Sequence, residues 1–217
     1  LDYQYDYLRS STIGLAGARI SLIPHQLHIA SEVGGRHAPR VLLADEVGLG
    51  KTIEAALVVC QLWAERRRRI LIIAPASLRK QWAQELYEKF AVPTKVVDAA
   101  VLGQEAVGNM LQTLEYITRS NIVIMSYHFA TRLEEELRGI PWDLVVLDEA
   151  HKLRNAHRPS NRIGQALRRA LEGRKKLLLT ATPLQNSLME LYGLSTLIDE
   201  HLFGDDKAFR KQFVNND

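Results

Sequence analysis

With 217 residues, 47% of them hydrophobic and 24% charged, the chain has the size of one large domain or two small ones and the composition of a packed core, which excludes a disordered polymer. A net charge of +3 permits nucleic-acid binding without requiring it, and a single cysteine excludes an internal disulfide framework. No apolar run approaches the roughly 18 residues of a membrane span, and the opening Asp2-Tyr-Gln-Tyr-Asp-Tyr7 is unlike a secretory signal, so a soluble cytoplasmic protein is expected. The chain begins on Leu1 and closes on Val-Asn-Asn-Asp217, which reads as a piece of a longer polypeptide.

In chain order, short runs rich in Val, Ile and Leu fall at 41–44, 70–74, 96–97, 122–125, 144–147 and 177–179. Nearly continuous apolarity of this kind predicts strands covered on both faces. Helical patterns lie between them. Cys60, in Ala-Leu-Val-Val-Cys-Gln-Leu-Trp63, reads as a small filler on a buried helix. Leu78, Trp82, Leu86 and Phe90 fall four apart on one face, which places Trp82 in the core rather than on a base-stacking surface. A further helix is expected from Pro159-Ser160 to about Leu171. The pattern Ser187-Leu-Met-Glu190 predicts a capping box opening another. Strands alternating with helices imply a mainly parallel α/β sheet with helices on both faces. The basic runs Arg66-Arg-Arg-Arg69 and Arg174-Lys-Lys176, each just before a strand, read as solvated helix ends.

In such a sheet ligands bind beyond the carboxyl ends of the strands. After the first run comes Asp45-Glu-Val-Gly-Leu-Gly-Lys-Thr52, a glycine-punctuated turn into a helix. Gly48 and Gly50 let successive N–H groups converge on one point, where the helix opening at about Gly50 adds its positive end. Asp45, Glu46, Val47, Gly48, Leu49, Gly50, Lys51 and Thr52 are therefore expected to cradle a triphosphate, Lys51 on its outer phosphates and Thr52 on magnesium. The general phosphate-loop pattern starts with Gly where this chain has Asp45. After the fifth run, Asp148-Glu-Ala-His151 puts an aspartate where magnesium needs a second anchor, and Glu149 where it can orient or deprotonate the attacking water. After the sixth, Thr180-Ala-Thr-Pro183 offers two hydroxyls that are expected to bond back to the acidic loop. Apart from His151, the histidines at 25, 28, 37, 128, 157 and 201 show no metal-ligand spacing with one another or with Cys60.

Taken together these segments resemble the helicase superfamily-two ATPases, and within them the Swi/Snf-type DNA translocases, over residues 20–213. Ile23-Pro-His-Gln26 is similar to the glutamine motif that reads adenine, residues 45–52 to motif I with its family-typical Asp, and Ala74-Pro-Ala-Ser-Leu-Arg-Lys-Gln-Trp82 to motif Ia. Ile124-Met-Ser-Tyr127 resembles the next nucleic-acid-contacting segment, Asp148-Glu-Ala-His151 the DEAH form of motif II, and Leu179-Thr-Ala-Thr-Pro-Leu-Gln-Asn186 motif III. The last of these, with the following Leu188-x-Glu-Leu191 and the spaced Phe203, Phe209 and Phe213, is the most Swi/Snf-like part. Pro24-His-Gln-Leu27 and residues 36–52 look particularly like the bacterial RNA-polymerase-associated branch, an opening that phage-defence and other bacterial translocases share.

The resemblance implies a three-layer RecA-like P-loop lobe at 20–200, a lead-in at 1–19, the start of a helical extension at 201–217, and a second RecA-like lobe outside this chain. It implies ATP and Mg2+ as cofactors, with Gln26 at the adenine, Lys51, Asp148 and Glu149 catalytic, and His151, Thr180 and Thr182 coupling hydrolysis to duplex DNA. Ser77, Lys80, Ser126 and Tyr127 are the expected DNA-backbone contacts. RNA polymerase is a candidate partner, which would place the protein at the nucleoid. An RNA-directed helicase and a non-catalytic ATP-gated interaction module are the alternative readings. Without a second lobe to supply arginines, the chain alone is expected to hydrolyse ATP very slowly.

Overall fold

The computed structural model describes residues 24, 26, 28, 32, 33, 40–44, 50–182, 187–199 and 202–214. Among these residues six strands, β1 (Arg40–Leu43), β2 (Ile70–Ala74), β3 (Thr94–Val96), β4 (Ile122–Ser126), β5 (Leu144–Leu147) and β6 (Lys176–Leu179), form one sheet in the order β1-β6-β5-β2-β4-β3. Every pairing is parallel. The expected runs at 70–74 and 144–147 coincide with strands, and the others shift by one or two residues.

The nearly unbroken apolarity of the strands follows from their surroundings. Along β2, Leu71 and Ile73 enter a core on one face, whereas Ile70, Ile72 and Ala74 enter a second core on the other. The second core is closed by α1 (Lys51–Ala64) and α2 (Arg79–Phe90). Helix α1 is buried over most of its length, from Glu54 to Leu62, so it is apolar around much of its circumference rather than along a stripe. Cys60 lies inside this core, and burial pushes its thiol up to about 12. On α2, Trp82, Leu86 and Phe90 are buried as their spacing predicts. The first core is closed by α3 (Ala99–Gln104), α4 (Met110–Thr118), α5 (Tyr127–Arg132), α6 (Glu134–Gly139) and α7 (Arg162–Ala170), together with α8 (Leu188–Ile198). Burying each Leu or Ile of these layers is worth about 1.5–3 kcal/mol against leaving it in water.

Two local expectations are corrected. Ser187 is the N-cap of α8, but its side chain makes no capping bond and Glu190 turns away to pair with Arg154, so the capping box does not form. Lys176 is a buried strand residue whose Nζ donates to the Arg174 carbonyl, not part of a solvated helix end. The other basic run does follow a helix end: Arg68 stacks 4.1 Å over Trp63 and Arg67 pairs with Glu65. Among the described residues, no helix is long and apolar enough to cross a membrane.

The register fixes where the chemistry sits. Leu43 is opposite Leu179, Leu147 opposite Leu178, and Ile73 opposite Leu147, so these four strands end level with one another. Two bonds extend the sheet past its formal ends, from Thr180 N to the Leu43 carbonyl (3.1 Å) and from Asp148 N to the Ile73 carbonyl (2.8 Å). The carboxyl ends of β1, β6, β5 and β2 therefore lie side by side at one pole.

Candidate active site

Helix α1 begins at that pole. Its N-cap, Gly50, has φ 89° and ψ 26°, a left-handed turn that glycine adopts without steric cost. A Cβ there would also run into the side-chain amide of Gln26, which is buried against the turn. Gln26 is thus placed beside Gly50, where the glycine turn enters the helix. Residues Asp45, Glu46, Val47, Gly48 and Leu49 lie outside the described residues. A helix start leaves its first N–H groups without intrahelical partners and carries a positive partial charge, so the turn at Gly50 suits an anion.

A cleft of ≈ 370 Å³ opens there, lined by Gly50, Lys51 and Thr52 from α1, Trp82 from α2, and Asp148, Glu149 and Ala181 from the two strand tips. The lysine, the hydroxyl and the two carboxylates expected from the sequence are thus brought to one place. They come from positions about a hundred residues apart because β6 alone separates β1 from β5.

Asp148 is held from three sides. Its Oδ2 accepts from Trp82 Nε1 at 2.8 Å, its Oδ1 accepts from Glu149 N at 2.9 Å, and its carbonyl accepts from the Tyr127 hydroxyl at 2.6 Å. Burial raises the Asp148 carboxyl above its ordinary range, the Glu149 charge adds to the rise, and the bonds from Trp82 and Glu149 N together with the Lys51 charge oppose it. A buried carboxylate in this condition is eased by an incoming cation. Among the described residues no group of three or more His, Cys, Asp or Glu forms a metal cage. Magnesium uses one or two carboxylates and completes its shell with phosphate oxygens and water, so Thr52 and Asp148 fit it as anchors of a nucleotide-borne ion.

Glu149 has φ 54° and ψ 46°, the left-handed region that costs a non-glycine residue about 1–3 kcal/mol and that clusters at functional sites. Glu149 lines the cleft with a partly exposed side chain. His151 Nδ1 lies 2.9 Å from Glu149 Oε2, an ion-pair distance without hydrogen-bond angles. His151 thus touches the carboxylate expected to position water.

The threonines behave differently from expectation. Thr180 is buried and its Oγ1 accepts from Thr182 N at 3.1 Å. Thr182 Oγ1 accepts from Arg154 Nη2 at 3.3 Å, and Arg154 Nε donates to the His151 carbonyl at 2.8 Å. Among the described bonds, the link from threonine loop to acidic loop runs through Arg154, which the sequence did not single out.

Of the expected DNA contacts, Ser77 and Lys80 are exposed at the start of α2, although the N-cap is Leu78 rather than Ser77. Ser126 caps α5, its Oγ accepting from Phe129 N at 3.2 Å. Tyr127 is corrected: it is 6% exposed, and its hydroxyl is spent on the Asp148 carbonyl. Burial and the neighbouring Asp148 and Glu149 charges raise its ionisation well above the ordinary range, which keeps it a donor. Trp82 was expected in the core, and it is there, but its indole N–H makes it an Asp148 support as well. The available signal was chemical, since a buried indole N–H needs an acceptor.

Comparison with known proteins adds lineage to this geometry. The profile of the SNF2-related domain family matches residues 30–216. The RNA polymerase-associated protein RapA of Yersinia pseudotuberculosis serotype O:1b (strain IP 31758) is 42% identical over 212 residues, which cover 95% of this chain and 22% of that protein. RapA of Serratia proteamaculans (strain 568) is 42% identical with the same coverage. The chain therefore spans about a fifth of the length of these relatives. Among solved structures, the Sulfolobus solfataricus SWI2/SNF2 ATPase core in complex with dsDNA superposes with a TM-score of 0.74 at 23% identity, covering 91% of this chain and 40% of that one. The same organism's ATPase core domain gives 0.70. The likeness identifies the fold as the RecA-like lobe of such a core.

Proposed function

Because the chain belongs to the SNF2-related domain family, we propose that it is the ATP-binding and hydrolysing lobe of a DNA-dependent ATPase that translocates on duplex DNA and remodels protein–DNA complexes. The observation that carries this reading is the convergence of Lys51, Thr52, Asp148 and Glu149 on one cleft at the carboxyl pole of the sheet.

In this reading residues 20–200 form the nucleotide lobe, with adenine near Gln26 and phosphates over residues 45–52. Lys51 neutralises the outer phosphates, and Thr52 with Asp148 holds the magnesium, which supplies charge stabilisation when bound. Trp82 and Tyr127 fix the direction in which Asp148 presents its oxygens. Glu149 accepts the proton of the attacking water or orients it, and His151 sets the rotamer of Glu149. Ser77 and Lys80 offer a hydroxyl and a charge to the DNA backbone without reading sequence. Ser126 belongs beside them as a lesser contact. A second RecA-like lobe of the same polypeptide completes the site. Duplex DNA is the polymer to test first, since the solved ATPase core that shares this fold was captured on dsDNA. RNA polymerase is the corresponding protein candidate, from the name of the RapA relatives.

The test is ATP turnover by the longest natural polypeptide carrying this lobe, with no nucleic acid, duplex DNA, single-stranded DNA or RNA at fixed salt. Duplex DNA is expected to stimulate most, and Glu149→Gln to lower turnover by about two to four orders of magnitude while ATP still binds. Turnover that ignores duplex DNA, or survives Glu149→Gln, would overturn the reading.

A further inference from the structure

Arg154 lies three residues beyond His151 and ties three segments together through one guanidinium. Nε donates to the His151 carbonyl at 2.8 Å, Nη1 to Glu190 Oε2 on α8 at 3.2 Å, and Nη2 to Thr182 Oγ1 at 3.3 Å. The Arg154 and Glu190 side chains are only 12% and 9% exposed, so the pair is largely desolvated and breaking it from one side leaves a buried charge. A second contact locks the same joint. A Cβ on Gly193 would collide with the Arg154 carbonyl, so α8 lies with its backbone directly on the segment after the acidic loop.

Helix α8 leads in turn to the aromatic tail. The Tyr192 ring is 4.8 Å from Phe209, which is 5.4 Å from Phe203 and 5.0 Å from Phe213. The acidic loop, the threonine loop, α8 and the tail are thus joined in sequence by directed bonds and ring contacts.

We propose that Arg154 is a positioning residue that couples the nucleotide cleft to α8. It clamps the acidic and threonine loops onto Glu190, so a shift of either loop on phosphate release moves α8 and the tail with it. The planar five-donor guanidinium suits this task because three acceptors in different directions are engaged at once, which an ammonium on a flexible stem cannot match. The inference rests on the ATPase reading above and adds to it the route by which hydrolysis reaches the rest of the motor.

The test measures ATP turnover with and without duplex DNA in the longest natural polypeptide carrying this lobe, for Arg154→Ala, Arg154→Lys, Glu190→Gln and the Arg154→Ala/Glu190→Gln pair. Unstimulated kcat and the KM for ATP should stay within about twofold of wild type, since neither residue lines the cleft. The stimulation ratio should fall about tenfold in Arg154→Ala, less in Arg154→Lys, and no further in the pair than in Arg154→Ala. A residue that only held the fold together would lower the active fraction and scale both rates alike, leaving the ratio intact. An unchanged ratio in the variants overturns the proposal, and if Arg154→Ala fails to fold, the near-isosteric Glu190→Gln decides it. Absence of DNA stimulation in the wild type would instead remove the reading beneath it, an outcome visible before any variant is made.

Discussion

Glu134 and Asp148 are both carboxylates engaged by strong donors, yet their surroundings push them in opposite directions. Glu134, at the start of α6 on the surface, accepts from Arg169 Nε at 2.6 Å and Nη2 at 2.8 Å, with Arg138 on its other side. The bonds from Arg169 hold its carboxyl below the usual range. Asp148 sits at a strand tip in the cleft, and its direct side-chain donors are an indole and a backbone N–H, both neutral. Burial raises its carboxyl. The first carboxylate has its countercharge within the chain and serves the fold. The second is desolvated at a cost to the fold, and in the proposed function the cation that would offset that cost arrives with the nucleotide.

Three substitution experiments sharpen or break this contrast. The largest effect is expected on turnover: Asp148→Asn should lower ATP hydrolysis by about a hundredfold or more, the scale of losing a few kcal/mol of transition-state stabilisation, whereas Glu134→Gln should leave it unchanged. Equal losses in both would erase the distinction. Next comes Trp82→Phe, which keeps the ring in the core but deletes the donor to Asp148 Oδ2. Supports of this kind are worth about 10–100-fold in metal affinity, so the magnesium concentration for half-maximal turnover should rise on that scale with little change in melting temperature. An unaltered magnesium requirement would return Trp82 to a purely apolar role.

The smallest effect is on stability, and there the sign matters more than the size. Asp148 has a raised carboxyl, so its contribution favours folding below the ordinary 3.8 and is lost as pH rises through the shifted value. Asp148→Asn turns its amide N–H toward one of the two N–H donors and melts below wild type in acid, and without nucleotide that deficit should shrink as pH rises through the shifted Asp148 value. Glu134 has a lowered carboxyl, so its contribution is present above the ordinary 4.5 and is lost as pH falls. Glu134→Gln should melt slightly lower at neutral pH, with the difference disappearing in acid. Thermal melts at several pH values read both; deficits that change with pH in the same direction would contradict the electrostatic account.

How far the sequence carried the site depends on how local each feature is. Lys51 and Thr52 could be read from the chain because a glycine turn entering a helix is a short-range pattern, and the N-cap at Gly50 sits where that pattern places it. Asp148 and Glu149 were legible for a similar reason, since a run of four buried apolar residues announces a strand and the next residue must stand at its tip. Tyr127 was misplaced because position after a strand says where a backbone emerges but not which way its side chain turns. The capping box at Ser187 failed through competition: Glu190 gains more from a desolvated arginine than from a backbone N–H at the helix start.

The sequence by itself therefore determined the alternating strands and helices, the parallel sheet and the residue types gathered at its carboxyl pole, because period, turn chemistry and strand tips are written within a few residues of each other. Only the tertiary structure decided what holds those residues. The bonds from Trp82 to Asp148, from Tyr127 to Asp148 and from Arg154 to Glu190 cross 66, 21 and 36 residues of chain. Each exists because the strand order β6-β5-β2-β4 sets the segments after distant strands near one another. A buried donor then takes the acceptor that this neighbourhood supplies, and no local pattern states which one that will be.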